Sequence, residues 1–207
     1  MQLLFRLRCE VPIQRLTPFL VGCFWIFFSA VGYAQPICEV QRERANNIRV
    51  CDSIEKVFTT FQKDFVISEI NRPPTVLHFN VADKSNKRTW FVFSVDNNRR
   101  IIHMDIEGPC FTKEGIGVGS TLGDATRIYG RADVEPTDVG CYVYFKKLPM
   151  VGFLLNNDDI PRSPCLISDD EFTSKHKGQV LKYQKARIVA IQLTAEDSCP
   201  DPKGGTR

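Results

Sequence analysis

The sequence predicts an α+β domain made of two tandem units, each a helix followed by a three-stranded antiparallel meander, held together by disulfides. Three observations predict it. The first is a gapless match of the chain to itself, in which residues 47–61 align on residues 115–129. Only Ile48/Ile116 and Val50/Val118 are identical, but the chemistry agrees at Asp52/Ser120, Ser53/Thr121, Ile54/Leu122, Val57/Ala125 and Phe61/Tyr129. The second is a shorter match, in the same order, of residues 100–106 to residues 187–193. One supersecondary unit used twice accounts for both. The third is the cysteine count.

The first 34 residues read as a secretory signal peptide. Arg6, Arg8 and Arg15 form a basic start, an apolar run extends from Pro18 through Val31, and Gly32-Tyr33-Ala34 offers small residues for cleavage. The run is shorter than the roughly 20 apolar residues of a bilayer span. The alternatives are an uncleaved anchor or a lipid on Cys23, since Leu20-Val21-Gly22-Cys23 spells a lipoprotein box. A membrane enters the reading only in those two cases. The compartment read from this leader is the bacterial periplasm or the medium.

Removing residues 1–34 from 207 leaves a mature chain of 173 residues, of which 35–199 suit a single domain, with Cys38, Cys51, Cys110, Cys141, Cys165 and Cys199. An even count behind an export signal implies an oxidising compartment and disulfides. Zinc is disfavoured, because no Cys-x-x-Cys pair is present to nucleate a tetrahedral site. Six cysteines allow fifteen pairings. Our expectation joins Cys38 to Cys51, Cys141 to Cys165 and Cys110 to Cys199. The leader carries three arginines and Glu10, so 24 basic and 23 acidic side chains remain. A surface so near neutrality gives no case for a nucleic-acid partner.

Each element has a local reason. Ile54, Val57, Phe58, Phe61 and Phe65 recur at helical spacing over 52–66, with Asp52 and Glu55 as a capping pair. Arg72-Pro73-Pro74 stops any helix. Thr75–Val81, Arg88–Val95 and Arg100–Glu107 read as strands joined by polar turns. This first unit spans about 47–110. In the second, about 115–199, a helix covers Thr121–Tyr129 and Gly130 ends it. Strands follow at Cys141–Lys147, Val151–Leu155 and Ala186–Thr194. A polar insertion occupies 156–185, and residues 200–207 read as a disordered tail.

Alternation assigns faces. Leu77, Phe79, Val81, Ile102, Met104, Ile106, Val143, Phe145, Val189, Ile191 and Leu193 point to the helices. His78, Asn80, His103, Asp105, Tyr142, Tyr144, Ala190 and Gln192 point away. Trp90 joins them, so an aromatic and polar face results. Trp90, Tyr142, Tyr144, His78, His103, Asp105 and Gln192 are the candidate partner-binding residues, since Trp and Tyr are enriched at binding hot spots.

Chemistry-bearing motifs are weak. Gly115-Ile116-Gly117-Val118-Gly119-Ser120-Thr121 lacks both dinucleotide spacing and a phosphate-loop lysine, and reads as the entry to a capped helix. His103, Asp105 and Glu107 share a strand face, with His78 near them. This is material for a metal site or for acid-base chemistry, such as a hydrolase using His103 and Asp105. No activated nucleophile is evident beside them, and a solvated strand face gives the same alternation. Asp158-Asp159 and Asp169-Asp170-Glu171 lack the alternate spacing of a calcium loop. No catalytic residue, cofactor or metal is assigned.

The segment Gly119-Ser120-Thr121-Leu122-Gly123-Asp124-Ala125-Thr126-Arg127-Ile128-Tyr129-Gly130 resembles a glycine-Thr-helix-glycine signature of uncharacterised exported bacterial proteins and lipoproteins. It is similar, more distantly, to the tandem repeats of the beta-lactamase inhibitor protein and of outer-membrane assembly lipoproteins. That resemblance implies sheets that bind proteins without catalytic residues. The first copy departs from it at Cys51, which replaces a glycine, and at Phe61, which no glycine follows. The function expected is an exported, non-enzymatic binding protein, an inhibitor or envelope accessory, that engages an envelope or extracellular protein. The alternatives are a hydrolase using His103 and Asp105, or a small-ligand carrier with a closed apolar cavity.

Overall fold

A computed structural model describes residues 38–72, 76–160, 165, 173–195 and 199. All of these belong to one compact unit, residues 36–207. The expected signal peptide, the expected tail at 200–207 and the acids Asp169, Asp170 and Glu171 lie outside the described residues.

The expected α+β tandem of two helix-plus-three-stranded-meander units is corrected: the molecule is mostly β, with its described strands gathered into one sheet of eight and one of four. Among the described residues twelve strands accompany three short helices. The helices are α1 (Ile54–Phe61), α2 (Leu122–Tyr129) and α3 (Ser174–Val180). Eight strands form one antiparallel sheet. In chain order they are β4 (Phe65–Arg72), β5 (Val76–Asp83), β6 (Thr89–Val95), β7 (Ile101–Ile106), β9 (Ala132–Thr137), β10 (Gly140–Phe145), β11 (Leu148–Leu155) and β12 (Ile188–Thr194). Their spatial order is β4-β5-β6-β7-β12-β11-β10-β9. A separate small sheet has the order β3-β2-β1-β8, built from β1 (Cys38–Gln41), β2 (Arg44–Ala45), β3 (Ile48–Arg49) and β8 (Cys110–Thr112). Where β1 meets β8 the pairing is parallel.

The difference from expectation begins at Phe65. Its place in the helical stripe extends the predicted helix to 66, but the helix ends at Phe61 and Phe65 opens β4. Phe65 still meets Phe61, ring centroids 5.3 Å apart, so a strand residue completes the stripe by tertiary contact. The cap also shifts by one residue. Ser53 accepts the Glu55 amide, while Asp52 accepts the Arg49 amide.

One face of the large sheet carries the core. Ile54, Val57 and Phe61 of α1 and Leu122, Ala125 and Tyr129 of α2 are buried against it. Phe61 lies 4.9 Å from Phe91, and Tyr129 lies 5.4 Å from Phe145. Most of the predicted inward set is buried there, including Phe79, Val81, Met104, Ile106, Val143, Phe145, Ile191 and Leu193. Val189 is not. A register shift at Leu154/Leu155 places Ile188 opposite Leu155, so Ile188 is buried and Val189 is exposed. A second shift at Ser94/Val95 buries Ile101 and leaves Ile102 half-buried.

Three disulfides close the chain: Cys38–Cys110, Cys51–Cys199 and Cys141–Cys165. Only the last matches the expected pairing. Cys38 and Cys110 face each other across the parallel β1/β8 pair, with Cα atoms 4.4 Å apart. That pair joins the first strand of the small sheet to its last, a contact that spacing along the chain does not announce. These bonds place the folded chain in an oxidising, non-cytoplasmic environment. No helix of the described residues is long and apolar enough to cross a membrane.

The predicted insertion carries structure of its own. A 3-10 turn covers Asn157–Asp159, and α3 follows, with Val180 buried. Lys177 pairs with Asp133 at 2.9 Å, which draws α3 to the edge strand β9. Asp159 is bound to Arg187 through both carboxylate oxygens, at 2.9 and 3.0 Å. The Arg187 side chain holds its carboxyl at about 2. This acid ties the turn to the start of β12.

Candidate functional site: the concave polar face

The side of the sheet opposite the helices is polar because the same strands alternate. Pairing lines up His78, Ser94, His103 and Thr194 across β5, β6, β7 and β12. The neighbouring row runs Val92, Asp105, Gln192, Gly152 and Tyr144 across β6, β7, β12, β11 and β10. Leu154 and Tyr142 are paired one step further along. Gly152 matters here. A Cβ at this position would stand 2.8 Å from the Tyr144 ring and 3.1 Å from Tyr142. The missing side chain lets Tyr144 lie over β11 and reach Gln192 on the strand beyond.

A hydrogen-bonded chain spans three strands. The Tyr144 hydroxyl donates to Gln192 Oε1 at 3.1 Å, and the Gln192 amide meets His103 Nε2 at 3.1 Å. His103 Nε2 is also 3.0 Å from Asp105 Oδ1, and the Tyr142 hydroxyl points to the same oxygen at 3.4 Å. Thr194 Oγ1 approaches His103 Nδ1 at 3.2 Å. The roles at His103 follow its tautomer: a proton on Nε2 serves Asp105 and leaves Nδ1 to accept from Thr194, while a proton on Nδ1 leaves Nε2 to accept from Gln192. Burial raises the Tyr142 phenol far above its ordinary value, with the Asp105 charge adding to it. Burial, and then Glu135 and Asp105, push Tyr144 up to about 12. Both phenols therefore stay protonated and act as donors.

The sheet curls around this face. Ile70, His78, Val92, Asp105, Glu107, Val139, Tyr142, Leu154 and Ala190 line one cleft of about 260 Å³. In a flat sheet β4 and β10 would stand about 29 Å apart, six strand spacings. That both contribute to one cleft shows how strongly the face is concave. Glu107 lies at its wall. Burial first, and then the neighbouring Asp105 charge, raise its carboxyl above the ordinary value, with Arg88 opposing.

The predicted site residues divide into two groups. Tyr142, Tyr144, His103, Asp105 and Gln192 form the connected chain, and His78 joins Asp105 and Tyr142 in the cleft. Trp90 does not belong with them. It stands against Phe65, ring centroids 5.1 Å apart, over Gly108, four strands from β10. Its carbonyl accepts the Glu107 and Gly108 amides at the point where β7 ends. The register shift at Val81/Ala82 falls just beside it and breaks the simple alternation on β6. Tyr142 is only 5% exposed, so it is a wall and not a projecting anchor. Glu107 shares the strand face of His103 and Asp105 in the sequence, but Ser94, Thr194 and Gly152 carry no such signal there. Ser94 was detectable by counting two from Val92, but its partner was not, since the Ser94–His78 bond of 2.9 Å needs the β5/β6 register.

The glycine-rich segment is structural, as its sequence indicates. Gly117 has no space for a side chain, because a Cβ would fall 2.0 Å from the Cys110 carbonyl. Its amide donates to Ser120 Oγ, and Thr121 caps α2 in a reciprocal box with Asp124. Tyr129 closes the unit by hydrogen bonds to Thr112 at 2.6 Å and Glu114 at 2.9 Å.

The hydrolase alternative meets a geometric obstacle. Both ring nitrogens of His103 are engaged by Asp105, Gln192 and Thr194, and Ser94, directly across from it, bonds His78 instead. These side chains rise from mid-strand, where backbone N–H groups belong to the ladders and are not free to line an oxyanion hole. Among the described residues no group of three or more His, Cys, Asp and Glu side chains is placed to hold a metal ion.

No family model and no curated protein matches the chain. Among solved structures it is similar to the uncharacterized protein yfeY from Escherichia coli, at a TM-score of 0.54 and 13% identity. The match covers 76% of this chain and 99% of that one. At that identity the likeness concerns the fold.

Proposed function

We propose that this is an exported, non-enzymatic binding protein that engages a protein of the bacterial periplasm or medium through the concave face. The observation that carries the reading is the chain Tyr144–Gln192–His103–Asp105–Tyr142, five polar side chains on three strands held by one another. Groups fixed in this way lose little rotamer freedom on association, so more of each contact appears as affinity. The aromatic rings bring contact area beside polar groups, the composition enriched at interfaces. The resemblance of residues 119–130 to exported proteins related to sheet-binding inhibitors and assembly lipoproteins points the same way.

The test is affinity capture from an envelope extract with the oxidised protein, read by mass spectrometry. One protein enriched in proportion to the bait, and reduced at least about tenfold by His103→Ala with Gln192→Ala, is the expected result. Trp90→Phe should leave capture unchanged. Capture indifferent to the His103/Gln192 change, or no specific protein at all, overturns the reading.

A further inference from the structure

The concave cleft has a chemistry more specific than the face around it. Its walls are apolar at Ile70, Val92, Val139, Leu154 and Ala190, and aromatic at Tyr142. Its polar complement is mainly acceptor. Asp105 uses Oδ1 for His103 and Tyr142, while among the described residues nothing donates to its Oδ2. The Glu107 carboxyl likewise accepts no hydrogen bond from any described residue. No lysine or arginine among the described residues lines the cleft. Two carboxylates at an apolar slot ask for a donor-rich cation with a hydrocarbon stem.

Size narrows the choice. Pockets for whole cofactors or drug-sized ligands run from about 300 to 1,000 Å³. At about 260 Å³ this cleft suits one long side chain. A guanidinium fits better than an ammonium. Its planar fork carries five N–H donors, enough for both carboxylates at once, and its face stacks on an aromatic ring as an ammonium does not. We infer that the cleft receives the side chain of an arginine presented by the protein partner, with Glu107 and Asp105 taking the guanidinium and Tyr142 lying against it. This rests on the reading of the concave face as a protein-binding surface and names what that partner must offer.

The probe is acetyl-arginine methylamide, with acetyl-citrulline methylamide as its uncharged counterpart, titrated into the oxidised isotope-labelled protein by NMR. Saturable shifts at Tyr142, Leu154 and Ala190 are expected with arginine and not with citrulline. Glu107→Gln, a change at an exposed residue, should weaken the arginine response about tenfold while the rest of the spectrum stays in place. No saturable response, an equal response to citrulline, or an undiminished response in Glu107→Gln overturns the inference.

The two readings fail separately. If capture still depends on His103 and Gln192 while arginine is ignored, the cleft assignment is wrong and the binding face stands. If arginine binds as expected but no protein is captured, the protein partner is wrong and the cleft serves a free organic cation.

Discussion

At the entrance to α1 the backbone passes through Cys51 at φ 73°, and at the entrance to α2 it passes through Gly119 at φ 93°. The surrounding stitches correspond. Cys51 N donates to the Ile101 carbonyl and Gly119 N to the Ile188 carbonyl. In return Ile101 N donates to Asp52 and Ile188 N to Ser120. Ser53 bridges Arg100, and Thr121 bridges Arg187. The backbone route is the same, while the residues that make it tolerable differ. Glycine takes positive φ without a Cβ penalty. A cysteine does not, and here its side chain is bonded to Cys199, a link 148 residues long in sequence. The exits differ too, since Gly130 turns the chain at φ 89° while Gln62 stays right-handed and leads into β4. What is fixed is the hydrogen-bonded route, and a covalent tie offsets the strain where glycine is absent.

The largest effect should come from removing that tie. Cys51→Ser with Cys199→Ser should lose about 3–5 kcal/mol, since the bond closes a long loop in the unfolded chain. Cys51→Gly with Cys199→Ala should recover about 1 kcal/mol of it, the strain of a side chain at positive φ. Equal denaturation midpoints for the two variants would show that φ 73° costs the native chain nothing. Next is Gly119→Ala. No atom lies within 4 Å of a Cβ built there, so the loss of about 1–2 kcal/mol should be backbone strain alone. A loss near zero in a urea titration breaks the correspondence between the two entrances.

The caps should follow. Thr121→Ala should cost about 1 kcal/mol and Ser53→Ala less, because only the α2 cap is reciprocated by its N3 side chain. Both caps add an acid-side pH dependence. Ser53 first, and then Arg99, hold Glu55 at about 2, and Thr121 lowers Asp124. Carboxyls depressed in the fold contribute stability at neutral pH that is lost as pH falls, for Glu55 between its ordinary 4.5 and about 2. The smallest effect should be at Glu107, whose sign is opposite. Its raised carboxyl favours the fold below the unfolded value and loses that contribution as pH rises through the folded one. Glu107→Gln should therefore flatten stability above the ordinary carboxyl range and leave neutral-pH stability equal or higher. A fall in neutral-pH stability would show that the charge is stabilised by contacts and not opposed by burial.

Particular residues show where sequence reasoning ends. The paired strands β5, β6, β7, β10, β11 and β12 fall close to the predicted runs, because each alternates or is bounded by turn residues. β4 hides behind Phe65, whose spacing serves helix and strand alike. β9 reads Ala-Asp-Val-Glu-Pro-Thr, an edge strand whose proline argues against a strand at all. β2 and β3 have two residues each, too few for any period to register. On the polar face, alternation names Tyr142, Tyr144, His103, Asp105, Gln192 and His78. It misplaces Trp90, because one irregular pairing beside it turns an alternation rule into a wrong face.

By itself the sequence determined most of the residues that share a strand side, where two helices begin to within a residue, and that six cysteines serve an oxidising compartment. These follow from backbone periodicities and short-range hydrogen bonds, which need only a few neighbouring residues. Only the tertiary structure decided that Cys38 meets Cys110, that Gly152 clears a path for Tyr144, and that Ile70 and Tyr142 line the same cleft. Those depend on which strands become neighbours and how far the sheet curls. Both are set by packing summed over the whole core, and no short stretch of sequence records that sum.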